Sequence, residues 1–373
     1  MFGCNVQIIC LLLMVQEPAP LPWGGSDFIQ FYVANRLVLD GENPYDRTRA
    51  MALQADLGMR LPMPTFAPPW SFLPSLPFVG LPLNQAILAN IIVNALLLIV
   101  CVLLWIQLLK PPSQERWMLL VIATLTWLPN LAVLGLGQLS LWPLFGFTGW
   151  LWCTRRGWRV TGSVCLVLMV IKPHLGLVLG FFALGRWYKQ KDWLSLVTFT
   201  GSLIALTLVT VVFRSTIWSE YLASLQSGKA PTDFHTATLE CLGRRWWGSS
   251  FTYVGVALWL AGMVAAFLAG IRSLVPGALI ACCLAIMTVP YAFSFDMVLL
   301  LPAWILALCF YFERAPGWQV ALVGMIVANA WLIAGKYLPW TETAYWPVPW
   351  IVLLITWRMV SQRYAVVSSS PQE

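Results

Sequence analysis

Charge is what this chain has least of. Of its 373 residues only 10% are Asp, Glu, Lys or Arg, while 60% are hydrophobic. A soluble domain carries roughly 25% charged residues, so a surface facing water on all sides is excluded. Several chemical signatures are also missing. There is no CxxC and no Cys/His cluster at zinc spacing, so neither a disulfide framework nor a metal site is expected. The nine Cys are scattered, almost all in or beside apolar runs, and read as small fillers. No Walker loop, GxSxG, HExxH or strict DxD occurs; "GLGQLS" brushes GxGxxG with no strand before it. No basic tract has the length or aromatic interleaving of a nucleic-acid surface, so the formal charge of +7 reads as membrane topology. No internal repeat is evident, which weakens a transporter built from inverted repeats.

What is there is apolar length. Runs of about 18 or more apolar residues recur, the mark of membrane-spanning helices, and 22 Trp and 19 Phe suit lipid–water interfaces. The expected fold is all-α and polytopic, a single integral membrane domain over 1–373 with about 12–13 transmembrane helices including a pair of half-helices. A first helix is expected at about 2–16, followed by a polar outer loop at about 17–65. The Pro-rich "PTFAPPWSFLPSLPFVGLPL" predicts a short kinked span. The cleanest span is 84–109; others are expected at about 117–135, 139–153, 193–213, 250–271, 274–293, 297–312, 319–335 and 347–360, with a second outer loop at about 214–249. Lys110, Arg116, Arg155, Arg156, Arg159, Arg186, Lys189, Lys191, Arg272, Arg314, Arg358 and Arg363 then fall on one side with few acids, which is the cytoplasmic side by the positive-inside bias.

"VTGSVCLVLMVIKPHLGLVLGFFALG" is interrupted at Lys172–Pro173, and basic clusters flank it at both ends. Each arm rises only roughly 20 Å at the helical 1.5 Å per residue, short of the roughly 30 Å hydrocarbon core. Two half-helices meeting inside the membrane, with Lys172 at the tip, account for this. Such backbone is tolerated where it is buried in protein or lines a watery cavity.

The candidate chemistry lies on the outer side. Asp27, in "GGSDFIQFYVANRLVLDGENPYD", suits a general base, or caps the helix in a box with Gln30. Asp40-Gly41-Glu42 reads as turn chemistry more than as an ion site. Lys172, a charge at membrane depth, is functional by default, or snorkels or pairs with an acid. Arg244 and Arg245 offer forks for a lipid-linked phosphate, or anchor an interface with Trp246 and Trp247. His174, Gln138, Tyr291 and Asp296 are further candidates for substrate contact; Asp296 also reads as a cap for the helix after it.

These stretches, in order, resemble glycosyltransferase family 87, polyprenol-phosphate-mannose-dependent mannosyltransferases and their relatives in the GT-C superfamily. The likeness rests on Asp27-Phe28, the aromatic Phe31-Tyr32, Gly41 to Asp46, "FAPPW", "GQLS", "VIKPHLGLVLGFFAL" and "SFDMVLL". It departs at Phe66-Ala67, where Tyr is usual, and at Ser140, where Asn is usual. The resemblance implies an inverting transfer of a sugar, mannose first, from a polyprenyl phosphate to an acceptor hydroxyl on a lipid or glycan. That transfer is implied to occur at the outer face of a bacterial plasma membrane. Asp27 would be the base; Lys172, Arg244 and Arg245 would hold the donor phosphate; Tyr32, Gln138, His174, Tyr291 and Asp296 would line the substrate site. No cofactor, metal or nucleic acid is called for. Two other readings stay open: a lipid or polysaccharide transporter without transferase activity, and a cytoplasmic enzyme using nucleotide sugars.

Overall fold

The computed structural model describes residues 25–59, 61–110, 116–226, 235–338 and 342–369, with no side-chain description at 116 and 364–369. The helix expected at 2–16 lies outside the described residues. Within them the chain is helical and without strands. In order the helices are α1 (Ser26–Leu39), α2 (Arg47–Asp56), α3 (Leu83–Leu109), α4 (Arg116–Thr126), α5 (Leu128–Leu136), α6 (Leu141–Arg155), α7 (Arg159–Leu166), α8 (Pro173–Gln190), α9 (Trp193–Phe213), α10 (Ile217–Gln226), α11 (Leu239–Trp247), α12 (Phe251–Arg272), α13 (Val275–Met287), α14 (Leu301–Phe312), α15 (Trp318–Gly335) and α16 (Pro347–Ser369). Short 3-10 turns lie at Pro69–Phe72, Leu76–Phe78, Val167–Ile171, Ser294–Leu300 and Thr343–Tyr345.

By length and composition, five helical stretches among the described residues can cross a membrane: α3, α9, α12, the continuous Ser294–Phe312, and α15. α4 with α5, bent by 63° at their break, forms either a broken sixth span or a re-entrant loop. The expected 12–13 transmembrane helices also included shorter spans, the half-helices and the first helix, which lies outside the described residues. Proline and glycine cut several apolar runs: α6 has 15 residues, α13 has 13, and the Pro-rich stretch at 64–83 folds into 3-10 turns instead of a span. Backbone at membrane depth must then find partners inside the protein. The α4–α5 break shows how. Pro129 follows the break, and Asn329 bridges it, donating to Thr126 O at 2.9 Å and accepting from Leu128 N at 3.2 Å. Trp127 donates its indole N–H to Met297 O at 3.1 Å.

The chain breaks at Lys172 as expected, but the second arm, with 18 residues, is longer than the expected half-helix. α7 and the turn Val167–Ile171 form one arm and α8 the other. Pro173 occupies the first position of α8, where its missing N–H costs nothing, and pushes Lys172 out of helix to φ −126, ψ 83. Gly176 lets the arms meet: a Cβ there would strike the backbone carbonyl of Met169.

Two ends of the bundle can be told apart. Arg155 donates to Leu108 O, and Arg363 donates to Leu109 O and Glu313. These join the C-terminal ends of α3, α6 and α14 to α16 in the positive set. Ser140, at the start of α6, lies about 22 Å from that end by helical rise. At the Ser140 end, α1 is enclosed by three apolar clusters. Phe31, Ala34 and Val38 pack with Phe72, Leu139 and Ile171. Phe28 and Tyr32 pack with Ala86 and Ile87 of α3. Ile29, Val33 and Leu37 pack with Ala50 of α2. Asn35, buried among them, donates to Phe72 O and to Ser75 Oγ, both at 2.8 Å. α1 is therefore held by packing along most of its length, and so is its first turn.

Candidate active site

That first turn carries Asp27. Gly25 N donates to Gly135 O at 2.7 Å, tying the start of α1 to the end of α5. Gly137 ends α5 with φ +71; a Cβ there would sit 2.7 Å from Phe28 Cβ and 3.0 Å from Asn90 Nδ2. This close passage sets Gln138 beside Asp27, and its side-chain amide donates to Asp27 Oδ2. α1 starts at Ser26 with Gly25 as its cap and no side-chain cap bond. The capping box with Gln30 is thus not formed, and the carboxylate is turned to the next helix junction. The turn reading of "DGENPYD" holds: Asp46 accepts from Arg49 N at 3.1 Å as the cap of α2, and Glu42 pairs with Arg49 at 2.7 Å.

Across from Asp27 is a second polar knot. Lys172 Nζ lies 2.7 Å from Asp296 Oδ1 and 2.9 Å from Ser140 Oγ, and that hydroxyl donates to the same Asp296 oxygen at 2.7 Å. The other Asp296 oxygen accepts from Phe293 N at 3.0 Å, so Asp296 does cap its helix while holding the lysine. The lysine is 13% exposed and the aspartate 1%. The ammonium also lies 4.6 Å from the centroid of Phe295, a cation–π contact. Ser71 donates to Ile171 O at 2.5 Å, and Trp259 to His174 O at 3.2 Å, fastening the hairpin tip from both sides. An ammonium has three donors. Asp296 and Ser140 engage two, and the lysine still borders open space.

That space is a cavity of about 230 Å³. Asp27, Gln138, Lys172, His174, Tyr291 and Asp296 all line it, with an apolar wall from Met63, Pro64, Phe66, Pro68, Phe293 and Phe295. Residues 269 positions apart in sequence, Asp27 and Asp296, thus share one chamber. In the opening turn of α8 Pro173 has no N–H, and the N–H groups of Leu175 and Gly176 donate to Lys172 O at 3.1 and 2.9 Å, while the positive end of the helix dipole lies beside Lys172. An anionic group is favoured there.

Three other candidates are not gathered here. Tyr32 is buried in α1, donates its hydroxyl to Leu81 O at 2.9 Å and borders a separate cleft with Arg36 and Pro82. Arg244 pairs with Glu240 within α11 at 2.7 Å, and neither it nor Arg245 lines the cavity. The structure adds Ser140, met in the sequence only as a departure from a pattern, and Glu342, to which nothing in the sequence pointed. Glu342 accepts from Ser294 N and Ser294 Oγ, both at 2.8 Å, at the start of the turn that carries Asp296.

Enclosure raises the Asp27 carboxyl above its ordinary range, opposed by the Gln138 bond and the Lys172 charge. Enclosure likewise raises Glu342 to about 7, against the two Ser294 bonds and with the Asp296 and Asp27 charges adding to it. Among the described residues no group of three or more His, Cys, Asp and Glu gathers as a metal cluster would.

An enclosed carboxylate facing a cation at the positive end of a broken membrane helix is an arrangement for group transfer involving an anion. The sequence pattern of glycosyltransferase family 87 matches residues 66–302. The chain belongs to glycosyltransferase family 87. It is therefore a membrane-embedded glycosyltransferase, acting on a sugar donor and an acceptor. A search of curated proteins finds no match. The matched stretch of this family 87 protein contains Gln138, Ser140, Lys172, His174, Tyr291 and Asp296 and begins after Asp27.

Proposed function

We propose that this glycosyltransferase moves a sugar, mannose first among candidates, from a polyprenyl phosphate to an acceptor hydroxyl on a lipid or glycan. The transfer is an inverting single displacement at the outer face of the membrane. Asp27 takes the proton from the acceptor hydroxyl as its oxygen attacks the anomeric carbon. The bond from that carbon to the phosphate oxygen breaks on the opposite face, and its electron pair leaves with the polyprenyl phosphate. The Lys172 ammonium and the opening turn of α8 meet the charge that develops there. Asp296 and Ser140 hold Lys172 in place, and Gln138 orients Asp27. The apolar wall of Met63, Pro64, Phe66 and Pro68 suits an isoprenoid near the phosphate. Arg244 and Arg245 take no part in this scheme.

The observation that carries the reading is the shared chamber: the Asp27 carboxylate and the Lys172 ammonium border one cavity in a family 87 enzyme. Outward orientation is supported by the basic set lying at the opposite end of α6 from Ser140. The test is incubation of purified protein and an acceptor extract with a panel of polyprenyl-phosphate sugars, scoring released polyprenyl phosphate. One donor should be consumed, and Asp27→Asn should abolish consumption while retaining donor binding. A panel left intact by the wild type, or an Asp27→Asn variant of full activity, sinks the proposal. The first outcome would favour a lipid transporter; the second would leave a transferase in which Asp27 is not the base.

A further inference from the structure

Gln30 forms no capping box with Asp27; it faces the cavity instead. Asp27, Gln30 and Phe31 stand at positions i, i+3 and i+4 of α1, so they share one helical face, and all three border the cavity. The Gln30 side chain is half-buried. Among the described residues nothing hydrogen-bonds its amide, and the amide is not sealed among buried atoms. His174, on the same wall, differs: both of its ring nitrogens are buried without a partner. Gln30 therefore offers an open, neutral donor and acceptor one helical turn from the base. Tyr221 of α10 borders the same cavity, and no described residue hydrogen-bonds its hydroxyl. Burial raises that phenol above its ordinary value, so it too has a proton to donate at neutral pH.

An amide carries a carbonyl acceptor and an NH₂ donor. It has no charge to offer an anion, and Lys172 with the start of α8 already serves one. In an inverting displacement the acceptor approaches from the side of the base and the phosphate leaves from the other. A side chain beside Asp27 on the same helical face therefore meets the acceptor. A hydroxyl next to the attacked one can donate to the amide oxygen or accept from the amide nitrogen. A simple alcohol would instead press an alkyl chain on the amide and strip it of water without return.

We propose that Gln30 is a specificity-determining residue for the acceptor, hydrogen-bonding the hydroxyl next to the one that Asp27 deprotonates. This rests on the transferase reading above and deepens it. The acceptor is then a carbohydrate or other polyol with adjacent hydroxyls. Asp27 and Gln30 read that pair together, which fixes which of the acceptor's hydroxyls attacks.

The test starts from the product that the full-length wild type makes from the acceptor extract and the donor identified by the polyprenyl-phosphate panel. Linkage analysis should find the new sugar on a carbon whose neighbour carries a free hydroxyl. A sugar on an isolated hydroxyl, such as the end of a lipid alcohol, overturns the inference. The purified acceptor and its analogue deoxygenated at the neighbouring position are then compared in wild type, Gln30→Met and Gln30→Asn. Met keeps the length and removes the amide; Asn keeps the amide and shortens the reach. In the wild type the deletion should lower kcat/KM by about 10- to 100-fold, the scale of one hydrogen bond left unmade in an enclosed site. Each variant should show a similar loss with the intact acceptor and little further loss with the analogue, a coupling that a merely structural role would not produce. A wild type indifferent to the deletion, or equal penalties in wild type and in whichever variant folds, overturns the inference and leaves the transferase reading standing. A wild type that consumes no polyprenyl donor overturns both.

Discussion

The Lys172–Asp296 pair gives the sharpest separation between holding the fold and doing chemistry. Lys172→Met strands a carboxylate that is 1% exposed. Breaking a buried pair in this way costs about 3–5 kcal/mol. Asp296 keeps two donors, Ser140 Oγ and Phe293 N, so the lower end, about 3 kcal/mol, is expected. Asp296→Asn strands the ammonium instead, with Ser140 Oγ and the Phe295 ring to soften it, and a similar cost follows. The double variant Lys172→Met/Asp296→Asn buries no lone charge. It should be less destabilised than the sum of the singles by about 2 kcal/mol or more, toward the upper part of the range for contacting residues. Activity should behave differently. Loss of the cation that meets the leaving group costs about 10²–10³ in kcat, and the double variant cannot restore it. Unfolding in detergent, followed by tryptophan fluorescence, gives the stabilities; released polyprenyl phosphate gives the rates. Additive stabilities would refute the pairing argument, and a double variant that regains activity would refute the role given to the lysine.

Three further outcomes are expected. Gly137→Ala forces a Cβ to 2.7 Å from Phe28 Cβ at φ +71. It should lower kcat/KM by about 10-fold or more by shifting Gln138 from Asp27; Gly41→Ala, at φ +74 with nothing near its Cβ, should cost about 1 kcal/mol of stability and little activity. A base must be ionised, and the Asp27 carboxyl is raised by enclosure. The acid limb of the kcat/KM profile should therefore lie above the ordinary carboxylate range, activity falling as pH drops through it. A limb at the unperturbed value, about pH 3.9, would tell against that base. Glu342, raised to about 7, binds its proton more tightly folded than unfolded. Its contribution is present below the unfolded value and lost as pH rises through about 7, so stability should decline between roughly pH 4.3 and 7. Glu342→Gln should flatten that slope in unfolding titrations.

The chemistry-bearing stretches could be read from the sequence because charge is so scarce in it. Asp27 and Lys172 stood out against an apolar background, and Lys-Pro within an apolar run marked the helix break, though not the 18-residue length of the arm that follows it. Span counting read less well. Apolar runs show hydropathy but not where Pro129, or the prolines of 64–77, interrupt hydrogen bonding, nor that Asn329 repairs one such break from the far end of the chain. Contacts over long separations were equally hidden. Nothing local to Ser140 says that it bridges Lys172 and Asp296. Glu342 sits in a loop whose sequence gives no sign that it grips Ser294. Arg244 looked like a free fork because its partner, Glu240, is one helical turn away on the same short helix, a spacing that can be read only once that helix is known to form. Burial of both His174 nitrogens without partners is likewise a fact of packing alone.

The central claim is that one cavity holds a lipid phosphate at Lys172 and presents the sugar it carries to Asp27. An experimental structure of the protein with a non-hydrolysable polyprenyl-phosphonate sugar tests it directly. The account predicts the phosphonate oxygens within hydrogen-bond reach of Lys172 Nζ and the start of α8, with the anomeric carbon between them and Asp27. A phosphonate bound at Arg244 and Arg245, or a sugar with Asp27 on the same side as its leaving group, would contradict it.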